Sequence, residues 1–200
     1  MDELRLIENQ KRLLNSRQLF DLEITTRCNK QCYCCPRQNF QRKNRDMSIE
    51  TFEKVCDWLP HNCNVFFAGY GEPLLHNNIL LFINKLSMKG VGVSLLTNGK
   101  LLTAEIIKQV FGAGLERLQI SILLRDEVAD IAKYVAMCGD TNGKIRFNLI
   151  YDDSMLVPFA LIDELQSKGF EVFSSKYIIE QMNFMKTIIK EKFCLVELSL

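Results

Sequence analysis

Residues 21–36 read DLEITTRCNKQCYCCP, a short apolar segment that runs directly into four cysteines. Three of them, Cys28, Cys32 and Cys35, have the spacing C-x3-C-x2-C, and Cys34 is an additional thiol. Three thiolates this close can hold three corners of an iron–sulfur cluster and leave the fourth iron open, whereas a structural zinc site normally takes four ligands in two separated pairs. The spacing therefore favours a cluster, with zinc binding or reduced core cysteines as the alternatives.

Composition limits the class of protein. The chain has 200 residues, of which 48% are hydrophobic, and its 25 basic residues nearly balance 24 acidic ones. These values predict a folded domain, or one domain with an appendage, and give no indication of a nucleic-acid or membrane-surface partner. The N-terminus is interrupted by charge and is no secretory signal, and no apolar run approaches the roughly 20 residues that span a membrane. We therefore expect a cytoplasmic protein whose eight cysteines are reduced thiols or metal ligands.

Strand and helix patterns alternate along the chain. Apolar segments bounded by turn signals predict six strands, at residues 19–25, 64–68, 91–97, 117–122, 144–150 and 170–174. Helical patterns lie between them, at residues 48–59, 77–89, 103–111, 127–138 and 157–168, with Ser48 and Thr103 as N-caps. This alternation predicts an α/β fold with a parallel sheet, best described as an open, partial (β/α)6 TIM-like barrel. A doubly wound sheet is the alternative.

The predicted domain organisation has three parts. Residues 1–18 form an extension with a lead-in helix, in which Leu4, Ile7 and Leu14 share one face. Residues 19–175 form the partial barrel, and residues 176–200 form a C-terminal helix and strand. Within that last part Cys194 is either a rim or core thiol, or a ligand in a further domain that begins there.

The segments that follow the strands carry polar and glycine-rich groups. Chemistry in such folds lies at the carboxyl ends of the strands. The second strand is followed by Gly69, Tyr70, Gly71, Glu72 and Pro73, the third ends at Thr97 and Asn98, and the fourth contains Ser121. The fifth strand contains Asn148 and is followed by Tyr151, Asp152 and Asp153. Glycines allow a ligand to approach the backbone, and Glu72 offers an acceptor for a cationic amine.

The cysteine spacing, followed by GYGEP at the next strand exit, resembles the radical S-adenosylmethionine (radical SAM) superfamily. The resemblance covers about residues 19–175 and implies that Cys28, Cys32 and Cys35 bind a [4Fe-4S] cluster whose open iron is chelated by SAM. It also implies that residues 69–73 bind the methionyl amine of SAM. By the same resemblance, Thr97 and Asn98 belong to the SAM site, and Ser121 meets the SAM ribose.

The sequence departs from the family pattern in two places. The family commonly follows the serine with Ile-Asp-Gly, whereas Ser121 is followed by Ile122, Leu123, Leu124 and Arg125. An expected acidic group is therefore missing, and Arg125 is either a carboxylate partner or a solvated side chain. The residue before the third cysteine is usually aromatic, but here it is Cys34, with Tyr33 one place earlier, which puts the usual packing of adenine in doubt.

The resemblance implies reductive cleavage of SAM to a 5′-deoxyadenosyl radical that abstracts hydrogen from a peptide or small molecule, with flavodoxin or ferredoxin as electron donor. The run MSIETFEKV at residues 47–55 is similar to the branch of maturases and dehydrogenases that carry C-terminal SPASM or twitch auxiliary-cluster domains. The basic loop at residues 36–46 is either solvated or meets an acidic partner. A glycyl-radical-activating enzyme and a non-enzymatic metal or cluster-binding module remain as alternatives, and the sequence does not indicate the substrate.

Overall fold

A computed structural model describes residues 17–39, 43–138, 143–152 and 159–177, and six strands in these ranges form one parallel sheet. The strands are β1 (Leu19–Asp21), β2 (Asn64–Phe67), β3 (Gly92–Thr97), β4 (Arg117–Leu123), β5 (Ile145–Asp152) and β6 (Glu171–Tyr177). Each strand pairs with the next one in the sequence, in the order β1-β2-β3-β4-β5-β6. A doubly wound sheet reverses its strand order, so the sequential order agrees with the predicted partial barrel instead.

Helices connect successive strands. They are α1 (Ile49–Trp58), α2 (Ile79–Met88), α3 (Ala104–Gly112), α4 (Leu124–Glu127), α5 (Asp130–Cys138) and α6 (Phe159–Ser167). Both predicted N-caps are confirmed: the Ser48 hydroxyl accepts a hydrogen bond from the Thr51 amide at 3.1 Å, and Thr103 accepts one from Ile106 at 3.1 Å. Each cap satisfies an amide that the first helical turn leaves without a partner.

The two faces of the sheet differ in chemistry. One face is apolar and packs against the helices, where the rings of Phe52 and Phe82 stack with their centroids 3.7 Å apart. Half-buried polar side chains, among them Ser94, Ser121 and Asn148, alternate with the core residues and occupy the other face. Phe66, Leu96 and Ile150 are half-buried on this second face as well, so the face that a partial barrel encloses is of mixed polarity.

Several element boundaries differ from the prediction. The β1 ladder ends at Asp21 rather than at residue 25, because the chain turns to bond both the β2–α2 loop and the segment after the cysteines. The helix predicted at residues 127–138 begins only at Asp130, as α5, and the short helix α4 precedes it, with the Glu127 side chain accepting the Leu123 amide at the start of α4. β5 and β6 run to Asp152 and Tyr177, beyond the predicted ends.

The predicted lead-in helix, the C-terminal helix and strand and Cys194 lie outside the described residues. Within the described ranges, no helix is both long enough and apolar enough to cross a membrane.

Candidate metal and cofactor site

The loop between β1 and α1 gathers four thiols. Cys28, Cys32, Cys34 and Cys35 are half-buried and form no disulfide. The Cys35 amide donates to the Cys32 carbonyl at 3.1 Å, which closes a tight turn between these two residues. A hydrogen bond at 3.2 Å from the Gln38 side chain to the same carbonyl holds the turn.

The thiols also affect one another electrostatically. Burial raises the pKa of Cys32 to about 11, Lys30 opposes that rise, and the thiols of Cys34, Cys35 and Cys28 add to it. Burial raises the pKa of Cys35 as well, and Cys28 again adds to the rise. Thiols that raise one another's pKa need a cationic centre before several can ionise together, and bound iron supplies that charge by replacing the protons. The donor set therefore fits an iron–sulfur centre.

A cluster and a single metal ion require different arrangements of donors. Among the described residues, no three cysteine, histidine or carboxylate side chains are arranged to hold one metal ion. A mononuclear zinc site needs its sulfur ligands about 2.3 Å from one point. In a [4Fe-4S] cluster each thiolate binds a different iron, so the sulfurs stand further apart. The preference for a cluster over zinc therefore remains a prediction from the cysteine spacing.

The segment after the cysteines returns antiparallel to the segment before them. The Thr26 amide donates to the Arg45 carbonyl at 2.9 Å, and the Met47 amide donates to the Ile24 carbonyl at 2.8 Å. The Thr26 hydroxyl accepts a further bond from the Arg45 amide at 2.7 Å. Both ends of the cysteine loop are therefore fixed to one another by backbone pairing.

Arg27 joins three segments next to the first cysteine. Its guanidinium donates to both carboxylate oxygens of Asp46, at 2.9 and 2.6 Å, and to the Leu75 carbonyl at 2.6 Å. Its own carbonyl accepts the Glu72 amide at 2.7 Å. Bidentate pairing of this kind fixes direction as well as distance. The cysteine loop and the predicted SAM-binding turn are thus held in one orientation.

The turn at residues 69–73 is fastened to the end of β1. Glu23 accepts hydrogen bonds from the amides of Tyr70 and Gly71, at 2.7 and 3.3 Å. A Cβ at Gly71 would lie 1.9 Å from the Thr25 carbonyl oxygen. Only glycine allows this approach, so the position of the turn depends on it.

Glu72 is at the centre of the site. Its side chain is buried, with 2% exposed, and accepts hydrogen bonds from the Thr97 hydroxyl at 2.8 Å, the Asn98 amide at 2.8 Å and the Leu74 amide at 3.1 Å. Burial raises the pKa of Glu72, and these bonds oppose the rise. A carboxylate has about four lone-pair sites, so capacity for one more donor remains. Glu72 therefore connects the exits of β2 and β3 and can still bind an amine.

Asn98 connects this carboxylate to the cysteine loop. While its amide bonds Glu72, its side-chain nitrogen donates to the Asn29 side chain at 2.8 Å and lies 3.7 Å from the Cys28 sulfur. The predicted SAM residues at two strand exits and the first predicted iron ligand thus meet at one side chain.

Gly99 shows why an Asn-Gly pair is needed after β3. Its φ is +77°, and an added Cβ would lie 2.6 Å from the ring of Tyr134 on α5. Its amide donates to the Thr97 hydroxyl at 3.1 Å. The Asn-Gly pair therefore forms a tight turn, as its sequence predicts. This turn places Thr97 and Asn98 within hydrogen-bonding distance of Glu72.

Ser121 lies apart from this group. It is half-buried on the polar face of β4 and pairs in register with Asn148 on β5. The Asn148 side chain accepts a hydrogen bond from the Ser175 hydroxyl of β6 at 3.1 Å. The sheet therefore associates Ser121 with polar groups of β5 and β6, rather than with Glu72.

The sequence analysis missed the carboxylate at the exit of β4. Glu127 is 3% exposed, and its oxygens lie 2.5 Å from the Lys30 ammonium and 3.1 Å from the Lys100 ammonium. An acidic side chain therefore lies at this strand exit, although it does not follow Ser121 directly. Sequence gave no signal for it, because a glutamate at the start of a helical pattern is ordinary and its partners lie in distant loops.

Arg125 faces the cysteine loop from the same exit. The Arg125 side chain is 60% exposed. Its guanidinium lies 3.7 Å from the buried Asp152 carboxylate and 5.4 Å from the centre of the Tyr33 ring. Both predicted roles, solvation and pairing with a carboxylate, therefore apply in part.

The fold is similar to that of solved structures, of which two are compared with this chain. SuiB of Streptococcus suis, bound to the precursor peptide SuiA, superposes with a TM-score of 0.63 over 94% of this chain and 50% of that one, at 13% identity. BtrN in complex with AdoMet and 2-DOIA superposes with a TM-score of 0.57 over 80% of this chain and 70% of that one, at 19% identity. At these identities the likeness concerns the fold alone, and it confirms the predicted partial barrel.

Curated relatives share more of the sequence. A tungsten-containing aldehyde ferredoxin oxidoreductase cofactor-modifying protein of Pyrococcus furiosus is 32% identical over 104 residues, which are 50% of this chain and 29% of the relative. The PqqA peptide cyclase of Bradyrhizobium diazoefficiens is 33% identical over 103 residues, which are 50% of this chain and 27% of the relative. The chain thus spans less than a third of the length of either relative.

The family comparison covers more than half of the chain. The sequence model of the family described as "Radical SAM superfamily" matches residues 22–145 of this chain. This range contains the cysteine loop, the GYGEP turn and Ser121. Members of this family are enzymes that use a [4Fe-4S] cluster and SAM. The chain belongs to the radical SAM superfamily.

Proposed function

We propose that this chain is the catalytic core of an enzyme that cleaves SAM reductively and uses the 5′-deoxyadenosyl radical to abstract hydrogen from a peptide or small molecule. In this proposal Cys28, Cys32 and Cys35 ligate the cluster. Residues 69–73 with Thr97 and Asn98 bind the methionyl end of SAM, and Ser121 meets its ribose.

The observation that carries the proposal is the double role of Asn98. Its backbone binds Glu72, and its side chain reaches Asn29 and the Cys28 sulfur. A molecule that chelates an iron beside Cys28 therefore has the free acceptor capacity of Glu72 close to it. SAM needs this juxtaposition, because its amino acid end both chelates the open iron and carries a cationic amine.

The protein's own part is to bind, orient and exclude water. When bound, the reduced cluster supplies one electron to the sulfonium of SAM, which gives methionine and the 5′-deoxyadenosyl radical. Glu72 fixes the amine with a charge-assisted hydrogen bond. The close contact of Gly71 with the Thr25 carbonyl keeps the turn against β1, so the reacting bond keeps one orientation.

Anaerobic reconstitution with iron and sulfide tests the proposal. We expect about four irons per chain, broad visible absorption, and formation of 5′-deoxyadenosine and methionine from SAM after chemical reduction. Addition of SAM should change the electron paramagnetic resonance spectrum of the reduced cluster, because SAM becomes an iron ligand.

The matched variants are Cys32→Ala and Cys34→Ala, since the two thiols lie in the same loop. The first should lose the cluster and the second should keep it. Stoichiometric zinc without visible absorption or SAM cleavage would contradict the proposal and favour a zinc module.

We place the substrate over the exits of β4 to β6. Support comes from the hydrogen-bonded pair of Asn148 and Ser175 and from the exposed Arg125 guanidinium next to the cysteine loop. These groups suit a substrate with hydrogen-bonding groups and a negative charge. Candidate peptides and metabolites can be screened by transfer of deuterium from labelled substrate into 5′-deoxyadenosine.

The electron donor in this proposal is an acidic carrier of the flavodoxin or ferredoxin kind, in the cytoplasm. Arg37, Lys43 and Arg45 lie beside the cysteine loop, and the last two are exposed. Attraction between opposite charges predicts reduction that slows as salt increases. Salt-independent reduction by such carriers would contradict this assignment.

A further inference from the structure

A group of four charged residues crosses the rim of the barrel next to the cysteine loop. Glu127 at the end of α4 lies between Lys30 of the cysteine loop and Lys100, which follows β3. Lys100 also donates to Asp130 at 2.9 Å. Two ammonium groups and two carboxylates thus balance in charge and connect three separate strand exits.

The degree of burial is unusual for these residue types. Glu127 is 3% exposed and Lys30 is 14% exposed, whereas a lysine in a surface loop normally keeps its ammonium in water. A buried carboxylate is stable only when it is paired and hydrogen-bonded. Glu127 satisfies this condition through both lysines and through the Leu123 amide, which donates at 3.1 Å.

The ionisation of Glu127 agrees with this geometry. Burial would raise its pKa, but the hydrogen bonds from Lys30 and the Leu123 amide outweigh burial and hold the pKa below its usual range. The carboxylate is therefore charged at neutral pH, and the Lys30 ammonium remains fixed to it.

Lys30 stands between the predicted iron ligands. It follows Cys28 by two residues and precedes Cys32 by two. Its charge opposes the effect of burial on the pKa of Cys32 and of Glu72, so the ammonium is electrostatically close to both the thiols and the SAM turn. A positive charge in this place favours thiolates and an added electron on a cluster.

We propose that Glu127 is a positioning residue that holds the Lys30 ammonium, and with it the chain between Cys28 and Cys32, over the rim in the geometry that retains the iron–sulfur cluster. The inference rests on the proposed ligation of the cluster by these cysteines. It assigns to Glu127 a role outside ligation, in which the residue acts through Lys30 and touches neither cluster nor SAM.

The test uses the anaerobically reconstituted chain and an excess of an iron chelator, with loss of visible absorption as the readout. Glu127→Gln removes the charge but keeps one acceptor oxygen, in the place that faces both the Leu123 amide and Lys30, and Lys30→Met removes the ammonium itself. Changes to groups that orient metal ligands typically weaken metal sites by about 10- to 100-fold. We expect iron release to accelerate by about that factor in both variants.

Asp130→Asn is the matched control, because Asp130 contacts Lys100 without contacting Lys30. Its release rate should stay close to that of the unaltered chain. The double variant Lys30→Met with Glu127→Gln should be no faster than the faster single variant, since both changes break one interaction. The cluster of Lys30→Met should also have a lower reduction potential, which a purely structural role would not change.

Two results would overturn the inference. One is release at the unaltered rate in Glu127→Gln and Lys30→Met. The other is equal acceleration in Asp130→Asn, which would assign the effect to Lys100. If Glu127→Gln does not fold, Lys30→Met still decides, and an unchanged potential in that variant would exclude an ammonium near the cluster. Failure of the unaltered chain to hold iron would instead refute the proposed function, and this inference with it.

Discussion

The exits of β1 to β3 and those of β4 to β6 are built differently. In the first half of the rim, at the exits of β1 to β3, the strand exits are joined by side chains that each make several hydrogen bonds. These side chains are Glu23, Arg27 and Glu72. In the second half, Ser121, Arg125 and Asn148 are half-buried or exposed, and the Arg125 contact with Asp152 is long, at 3.7 Å. The exception is the buried Glu127, which pairs with Lys30 and Lys100 of the first half.

This difference separates two tasks. A cofactor that is the same in every family member requires a fixed geometry, and backbone hydrogen bonds with close glycine contacts provide it before the cofactor binds. A substrate that differs between relatives requires side chains that can change without loss of the fold. The comparison predicts large losses for changes in the first half and smaller ones for changes in the second.

The largest effect is expected for the cysteines. Cys32→Ala, Cys28→Ala and Cys35→Ala should each abolish stable iron binding and formation of 5′-deoxyadenosine, because a cluster with two protein ligands is not retained. Cys34→Ala in the same loop should keep most of its iron. Iron content after anaerobic reconstitution measures both, and normal iron with normal SAM cleavage in Cys32→Ala would remove the basis of the comparison.

Glu72→Ala should weaken SAM binding by about 1.5–3 kcal/mol, the typical value of a hydrogen bond to a charged group, or roughly 10- to 150-fold in Kd. The cluster should still assemble. Glu72→Gln should lose less than Glu72→Ala, because its one amide oxygen can still accept either from the Thr97 hydroxyl or from the Asn98 amide, which bond different oxygens of Glu72.

Titration of the reconstituted chain with SAM gives these affinities, and Glu105→Ala on the exposed start of α3 is the control. An unchanged Kd in Glu72→Ala would mean that the residues 69–73 have a structural role only.

Ser121→Ala should have a smaller effect on SAM affinity, about 0.5–1.5 kcal/mol for one neutral hydrogen bond. Ser94→Ala is a suitable control, since Ser94 is also half-buried but lies nearer the start of its strand. Equal losses in Ser121→Ala and Glu72→Ala would show that cofactor binding extends evenly across both halves of the rim.

Much of the first half could be predicted from the sequence. The strand and helix periods gave the order of elements, and short motifs identified Cys28, Glu72 and Asn98, which the structure brings together. These motifs are readable because glycine and cysteine have few substitutes where the backbone must approach closely or a metal must be bound.

Contacts between distant loops could not be predicted in this way. Glu23, Lys30 and Glu127 are common residue types without a characteristic spacing, and their roles come from pairing across the rim. Such residues become visible only when the strand order is known.

The smallest effect concerns the ion pair that closes the cysteine loop in the first half. The hydrogen bond from Arg27, together with that from Thr25, holds the pKa of Asp46 below its usual 3.8. The ionised carboxylate therefore stabilises the fold at neutral pH. This contribution is lost as the pH falls through the lowered pKa of the folded state. Because both side chains are about a third exposed, solvent screening limits the contribution to about 0.2–1 kcal/mol, and Asp46→Asn should lower the free energy of unfolding by that amount at pH 7.

Chemical denaturation of the metal-free chain across a pH series should show the two proteins converging as Asp46 becomes protonated, whereas the exposed control Asp163→Asn should follow the unaltered chain throughout. If the Asp46→Asn difference is the same at every pH, the ionised pair contributes nothing, and backbone pairing of residues 43–47 alone holds the loop.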